Sequence, residues 1–188
     1  VLIGVAINDI NAIIDRNLAS SLVEGSISAL NYANKLQGLV YGVFVSAITT
    51  VIFPLLSKES NSSNIKGMKK IMGEGINLIL LITIPATVGL IILAKPIVEV
   101  AFQRGAFTAN DTIMTSQALV FYSLGLVGSS LRLLTTRVYY SLQDTKSPML
   151  NGGIAVVLNL ILNLILIRFL AHGGLALATS ISTTIATL

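Results

Sequence analysis

No cysteine occurs in the 188 residues, which rules out a disulfide framework and any thiolate metal site within them. The single histidine, His172, cannot build a histidine cluster. Charge is scarce: Asp, Glu, Lys and Arg make up 11% of the chain, against 54% hydrophobic residues. The mean hydropathy of +0.85 stands far above that of an ordinary soluble domain. Soluble-enzyme signatures are missing too. There is no phosphate-cradling Gly-Lys-Ser/Thr loop, no His-Glu-x-x-His and no Gly-x-Ser-x-Gly elbow, and no acid/base or metal-binding cluster stands out. The chain reads as a polytopic membrane protein, not an enzyme, with no cofactor, no resident metal and no nucleic-acid partner. Without an ATPase motif, its energy source would be an ion gradient, the membrane potential or downstream consumption of a product.

What the chain does have is long apolar runs. A bilayer core about 30 Å thick needs about 20 helical residues, and the uncharged runs 36–57, 76–94, 112–131 and 147–167 match that length. The predicted fold class is all-α, a transmembrane bundle of six helices at about 1–23, 27–57, 66–94, 109–142, 148–170 and 174–188. Ser26 is the expected N-cap of the second helix, and Thr108 or Asn110 that of the fourth. Pro148 falls in the first turn of the fifth, and Gly173-Gly174 ends it. Pro85 is expected to bend the third helix. Connectors two and four bring Lys58, Lys66, Lys69, Lys70, Lys146 and nearby Arg137 to one side, against Lys95, Arg104 and Arg168 on the other. By the positive-inside rule the first side is cytoplasmic. The chain opens at Val1 and stops at Leu188 within an apolar run, so it is expected to be a segment of a longer protein.

The costly residues lie in 8–42. An Asp, Lys or Arg near the middle of a membrane helix costs roughly 2.5–3.5 kcal/mol on insertion scales, yet this stretch holds Asp9, Asp15, Arg16 and Lys35. Such residues normally face a protein interior or a water-filled cavity, so they are expected to line a polar, cationic chamber for an anionic substrate. On the second helix Asn31, Lys35, Gly38, Gly42, Ser46 and Thr49 form a polar and small stripe at helical spacing. Gly38-x-x-x-Gly42 within it reads first as a packing seam. On the first helix Gly4, Asn8, Asn11 and Asp15 share one face, with Asp9 and Arg16 on the adjoining one. Asp15 and Arg16 serve either a buried neutralising network or substrate contact. Asn159 and Asn163 stand at i,i+4 on the fifth helix, and the sixth offers Thr179. Facing Asp15, they would present one carboxylate and several neutral oxygens to a hard monovalent cation such as Na⁺; plain interhelical hydrogen bonding is the commoner use of such residues.

Four strings carry more than composition does. Ile-Asp-Arg-Asn-Leu-Ala-Ser (14–20), Gly-Ser-Ile-Ser-Ala-Leu-Asn-Tyr-Ala-Asn-Lys-Leu (25–36), Phe-Gln-Arg-Gly-Ala-Phe-Thr (102–108) and Tyr-Tyr-Ser-Leu-Gln-Asp-Thr-Lys-Ser-Pro (139–148) occur in this order between apolar helices. Together they resemble the lipid II flippase family (MurJ/MviN) of the multidrug/oligosaccharidyl-lipid/polysaccharide exporter superfamily. The resemblance implies the second six-helix lobe of a fourteen-helix, two-lobe transporter whose first lobe is a further part of the same protein. It implies transport of lipid II, an undecaprenyl-diphosphate-linked disaccharide-pentapeptide, across the bacterial plasma membrane for peptidoglycan synthesis, by alternating access. The family's basic residue early in its eighth helix falls on Lys35. Where many members have Asp-Arg this chain has Asn34-Lys35, which keeps the charge and loses arginine's bidentate fork. Lys35, Arg16 and Asn34 are therefore the expected substrate-binding residues. Asp15, Asn159, Asn163 and Thr179 fall where some relatives hold a cation. Two other readings remain open at this point: a drug/cation antiporter or polysaccharide-lipid exporter of the same fold, and a non-transporting membrane scaffold.

Overall fold

The computed structural model describes residues 13–15 and 17–187, and every regular element among them is helical. Residues 13–15 and 17–19 are helical and lead into a turn at 20–25. The remainder of the expected first helix, with Gly4, Asn8, Asp9, Asn11 and Arg16, lies outside the described residues.

Helix α1 (Ser26–Asn61) runs for 36 residues. Gly25 stands at its N-cap with φ 93°, a left-handed backbone that glycine adopts without a Cβ clash. Ser26 is thus the first helical residue and not the cap, and its hydroxyl donates back to the Val23 carbonyl at 2.7 Å. A single π turn, Tyr41–Val45, interrupts the α-helical ladder. Asn64 caps α2 (Ile65–Ile92), accepting from the Gly67 N–H at 3.1 Å. The helix expected to reach residue 94 breaks at Leu93 (φ −100°, ψ 14°), and a separate short helix, α3 (Ala94–Phe102), follows. Both α1 and α2 continue through their internal prolines, Pro54 and Pro85.

Helix α4 (Ala109–Leu124) opens on a capping box. Thr108 Oγ1 accepts from the Asp111 N–H at 3.3 Å while Asp111 Oδ2 accepts from the Thr108 N–H at 2.8 Å, so Thr108 and not Asn110 is the cap. At Gly125 the chain bends by 46° into α5 (Leu126–Ser141), dividing the span expected at 109–142. Asp144 prepares the next start. Its Oδ1 accepts from the N–H groups of Lys146 and Ser147 at 2.9 and 3.0 Å, and its Oδ2 accepts the Ser147 hydroxyl at 2.6 Å. The hydroxyl and N–H of Ser147 hold the Asp144 carboxyl below the usual carboxylate range. Pro148, which has no N–H to leave orphaned, sits in that first turn.

The last element, α6 (Lys146–Ile185), is 40 residues long and broken at Ala171 (φ 47°, ψ −128°). Asn159 and Thr179 make a hydrogen bond of 3.1 Å across it, although 20 residues along a straight helix would separate them by about 30 Å. The two arms of α6 are therefore folded back on each other. Gly174 permits this: a Cβ there would lie 2.5 Å from the Leu166 carbonyl oxygen.

Helix α4 lies at the centre. The first half of α1 packs on it, as do α3 and α6, while the second half of α1 packs on α2 and α5. Two apolar cores result. One joins Leu30, Ala33, Val98, Leu119, Leu126 and Leu175, and the other joins Val45, Ile52, Leu56, Ile79 and Leu134. Among the described residues α1, α2 and α6 are each long and apolar enough to cross a membrane, and α4 with α5 makes a fourth, bent span. Leu81, Ile92 and Phe169 stand more than two-thirds exposed on the outside of the described bundle, as apolar side chains on membrane-spanning helices can.

A close contact between separate helices involves Gly125 and Gly128, where an added Cβ would come within 2.6 Å of Ser180 Cα and 2.9 Å of Thr184 Cα. Gly128→Val must push the second arm of α6 aside, and we expect a loss of about 1–3 kcal/mol. Gly73→Ala, at a helical position with open space around it, should hold or raise stability by up to about 1 kcal/mol. Thermal unfolding of the full-length protein in detergent checks both.

Candidate functional site

The polar stripe of α1 begins open and ends buried. Asn31, Lys35, Gly38 and Gly42 are exposed, Ser46 is half-buried and Thr49 is fully buried. Nothing among the described residues comes within 4 Å of a Cβ built on Gly38 or Gly42. The packing seam expected at these glycines is therefore not formed within this bundle. The reason is geometric: α1 leans on α4 through Ala29, Leu30, Ala33 and Gln37, on another side of the helix.

The open face borders a cavity of ≈ 210 Å³ whose wall includes Asn34, Gln37, Gly38 and Tyr41 from α1 and Thr179 and Thr183 from α6. Gln37 Nε2 donates to the Tyr122 carbonyl at 2.9 Å, fixing α1 to α4 at the cavity edge. Lys35 is the next residue along from Asn34 but is not part of this wall. Its ammonium stands 5.5 Å from the centroid of the Tyr32 ring, a cation–π arrangement. Arg16, the third expected substrate residue, lies outside the described residues.

The second expected group comes together from three parts of the chain. Asn163 Nδ2 donates to Asp15 Oδ1 at 2.6 Å and to Asn159 Oδ1 at 2.8 Å, and Asn159 Nδ2 donates to Thr179 Oγ1 at 3.1 Å. Thr179 Oγ1 lies 3.4 Å from Asp15 Oδ2 and 3.0 Å from the Leu175 carbonyl, the two acceptors open to its one proton. Asn159 and Asn163 are fully buried, and Asn163 Oδ1 has no hydrogen-bond partner among the described residues. One carboxylate, two amide oxygens and a hydroxyl make an all-oxygen donor set with a single negative charge, which fits a hard monovalent cation. Thr179 belongs both to this set and to the wall of the ≈ 210 Å³ cavity.

Several residues of the site escape the sequence reading. Gln37 and Tyr41 are two of them; they recur with the expected Asn34 at helical spacing in an apolar run, and that signal was available. Tyr122 and Ser129, also on the cavity wall, carry no such mark; only the bend at Gly125 brings them there.

With this geometry in hand, comparison with known proteins is informative. The whole chain, residues 1–188, matches the family described as "Lipid II flippase MurJ". It is similar to the "Probable lipid II flippase MurJ" of Vibrio cholerae, with 42% identity over 181 residues, covering 96% of this chain and 34% of that protein. The Haemophilus influenzae protein of the same description is 36% identical over 190 residues, covering 98% of this chain and 37% of that one. The chain thus spans about a third of the length of these relatives. Among solved structures, "Lipid II flippase MurJ, inward closed conformation" superposes with a TM-score of 0.89 at 36% identity, over 98% of this chain and 39% of that one. A Vibrio cholerae MATE transporter in its bent form gives a TM-score of 0.87 at 14% identity, over 98% and 41% of the two chains, a likeness of fold alone.

Proposed function

Because the chain belongs to the lipid II flippase MurJ family, we propose that it forms the second lobe of a transporter that moves a polyprenyl-diphosphate-linked peptidoglycan precursor across the bacterial plasma membrane. The observation that carries this reading is the open face of α1, where Asn34, Lys35, Gly38 and Gly42 are exposed on a helix apolar enough to span a bilayer. An ammonium on such a helix is tolerable beside water and costly beside lipid.

The difficulty in flipping such a lipid is its head. A diphosphate with attached sugars and peptide cannot cross hydrocarbon, whereas the prenyl tail never has to leave it. Two lobes enclosing a wet, positive chamber with a side opening for the tail meet both needs, and rocking of the lobes changes which side is open. In this scheme Lys35 and Arg16 attract the diphosphate, Asn34 adds a hydrogen-bonding amide, and the lobe outside this segment supplies the facing wall. The step is transport, with no covalent chemistry. The basic connectors face the cytoplasm, and loading takes place from that side. Asp15, Asn159, Asn163 and Thr179 would hold Na⁺. A cation bound there compensates the Asp15 charge between residues of the first helix and both arms of α6.

Lys35→Ala in the full-length protein should abolish translocation in a lipid II accessibility assay while Lys35→Arg retains it; undiminished flipping by correctly inserted Lys35→Ala would remove Lys35 from the mechanism. For the cation, exchanging K⁺ for Na⁺ at constant ionic strength should raise the thermal midpoint of the wild-type protein, by mass action on the folded state. The rise should vanish in Asp15→Asn. An Na⁺ response unchanged by that substitution would move the cation elsewhere.

A further inference from the structure

A larger cavity, ≈ 540 Å³, opens where the turn at 20–25 meets the loop between α3 and α4. Its size falls within the about 300–1,000 Å³ of small-molecule sites, and its walls are of two kinds. One is aromatic. Tyr32, Phe102 and Phe107 pack together with ring centroids 4.6, 5.4 and 5.9 Å apart. The other is polar, with Ser28, Arg104, Asp111 and Thr115 contributing to the lining.

Part of this polar wall is not used by the fold. Thr115 is fully buried, yet its hydroxyl has no hydrogen-bond partner among the described residues, and buried polar atoms are rarely left so unless something else satisfies them. Asp111 engages Thr108 through Oδ2, while its Oδ1 lies 3.5 Å from where a Cβ on Gly25 would stand, at the cavity wall. Arg104 gives one N–H of Nη2 to the Ala101 carbonyl at 2.9 Å and is otherwise exposed. Gly25 and Gly105, with φ of 93° and 61°, shape the two turns that frame the opening.

Aromatic faces bordered by a carboxylate, a guanidinium and hydroxyls match the amphipathic surface of a pyranose. Its C–H face packs on a ring and its hydroxyls bond to the charged and polar groups around it. Tyr32 also connects this wall to Lys35, whose ammonium stands over the same ring. A glycosyl phosphate would therefore find an aromatic wall with the Lys35 charge beside one of its rings.

We propose that this cavity is a subsite for a sugar ring of the glycosylated polyprenyl diphosphate, at the end of the bundle away from the basic connectors. The proposal rests on the transport reading and adds to it which part of the head is recognised, and by which residues.

The test uses the full-length protein in detergent and two probes, undecaprenyl-diphosphate disaccharide-pentapeptide and undecaprenyl diphosphate without sugars, titrated by native mass spectrometry. Phe107→Ala and Thr115→Val should each weaken the glycosylated lipid by about tenfold and leave the bare diphosphate unchanged. Thr115→Val removes a hydroxyl that the fold does not use and keeps the side-chain shape, so an unaltered melting temperature separates loss of contact from loss of fold. A selective loss in either variant carries the proposal. Equal weakening toward both lipids, or no change toward either in both variants, overturns it. Wild-type protein that binds neither lipid would overturn the transport reading itself, and the subsite with it.

Discussion

A polar group inside hydrocarbon has no water to turn to, and this requirement arranges most of what is seen here. Hydroxyls on the helices bond back to their own backbone: Thr49 to Val45, Thr83 to Ile79, Ser123 to Leu119 and Ser130 to Leu126. The Asp15 carboxylate is met by Asn163 and Thr179. The Arg137 guanidinium lies 5.7 Å from the centroid of the Phe53 ring. Lys35 differs from these, being exposed over a single tyrosine ring on the one side of α1 whose glycines touch nothing in the described bundle. A chamber with water in it reconciles that placement with a membrane-spanning helix.

Much of this was legible in the sequence, for reasons that differ from residue to residue. Helix existence followed from the length of uncharged runs, which bilayer thickness fixes independently of packing. The Asp15, Asn159, Asn163 and Thr179 group could be anticipated because two asparagines at i,i+4 share a helix face and few carboxylates are available in such an apolar chain. Breaks were harder to see. Leu93 ends α2 three residues ahead of Pro96, which has no N–H to give the Ile92 carbonyl, and Gly125 bends the chain where Pro85 had seemed the stronger signal. The small residues were hard to read for a related cause: they mark where a backbone can approach, and only tertiary structure shows that, among the described residues, Gly125 and Gly128 are approached while Gly38 and Gly42 are not. The aromatic cavity depends on Tyr32 meeting Phe102 and Phe107, from which it lies far in sequence, so periodicity gives no hint of it.

The same breaks place the functional groups on parts of the bundle that are joined. Folding at Ala171 sets Thr179 beside Asn159, and Thr179 in turn reaches the cavity that Asn34 borders. The contact of Gly125 and Gly128 with Ser180 and Thr184 ties the α4–α5 bend to that same arm of α6. The Asp15 group and the wall of the ≈ 210 Å³ cavity thus share one structural element. The fold itself is common to MATE transporters at 14% identity, so architecture alone does not set specificity; the proposed function assigns it to side chains such as Lys35 and Asn34.

The central claim is that Lys35 faces water within the membrane. Thiol reagents of the charged methanethiosulfonate type react with thiolate, which forms in water and not in hydrocarbon, and this chain contributes no cysteine of its own. In the full-length protein, freed of any other cysteine, Lys35→Cys should label readily while Leu81→Cys, on the exposed apolar surface, should not. Labelling of Lys35→Cys as slow as that of Leu81→Cys would place position 35 against lipid or in a dry core, and would contradict the chamber.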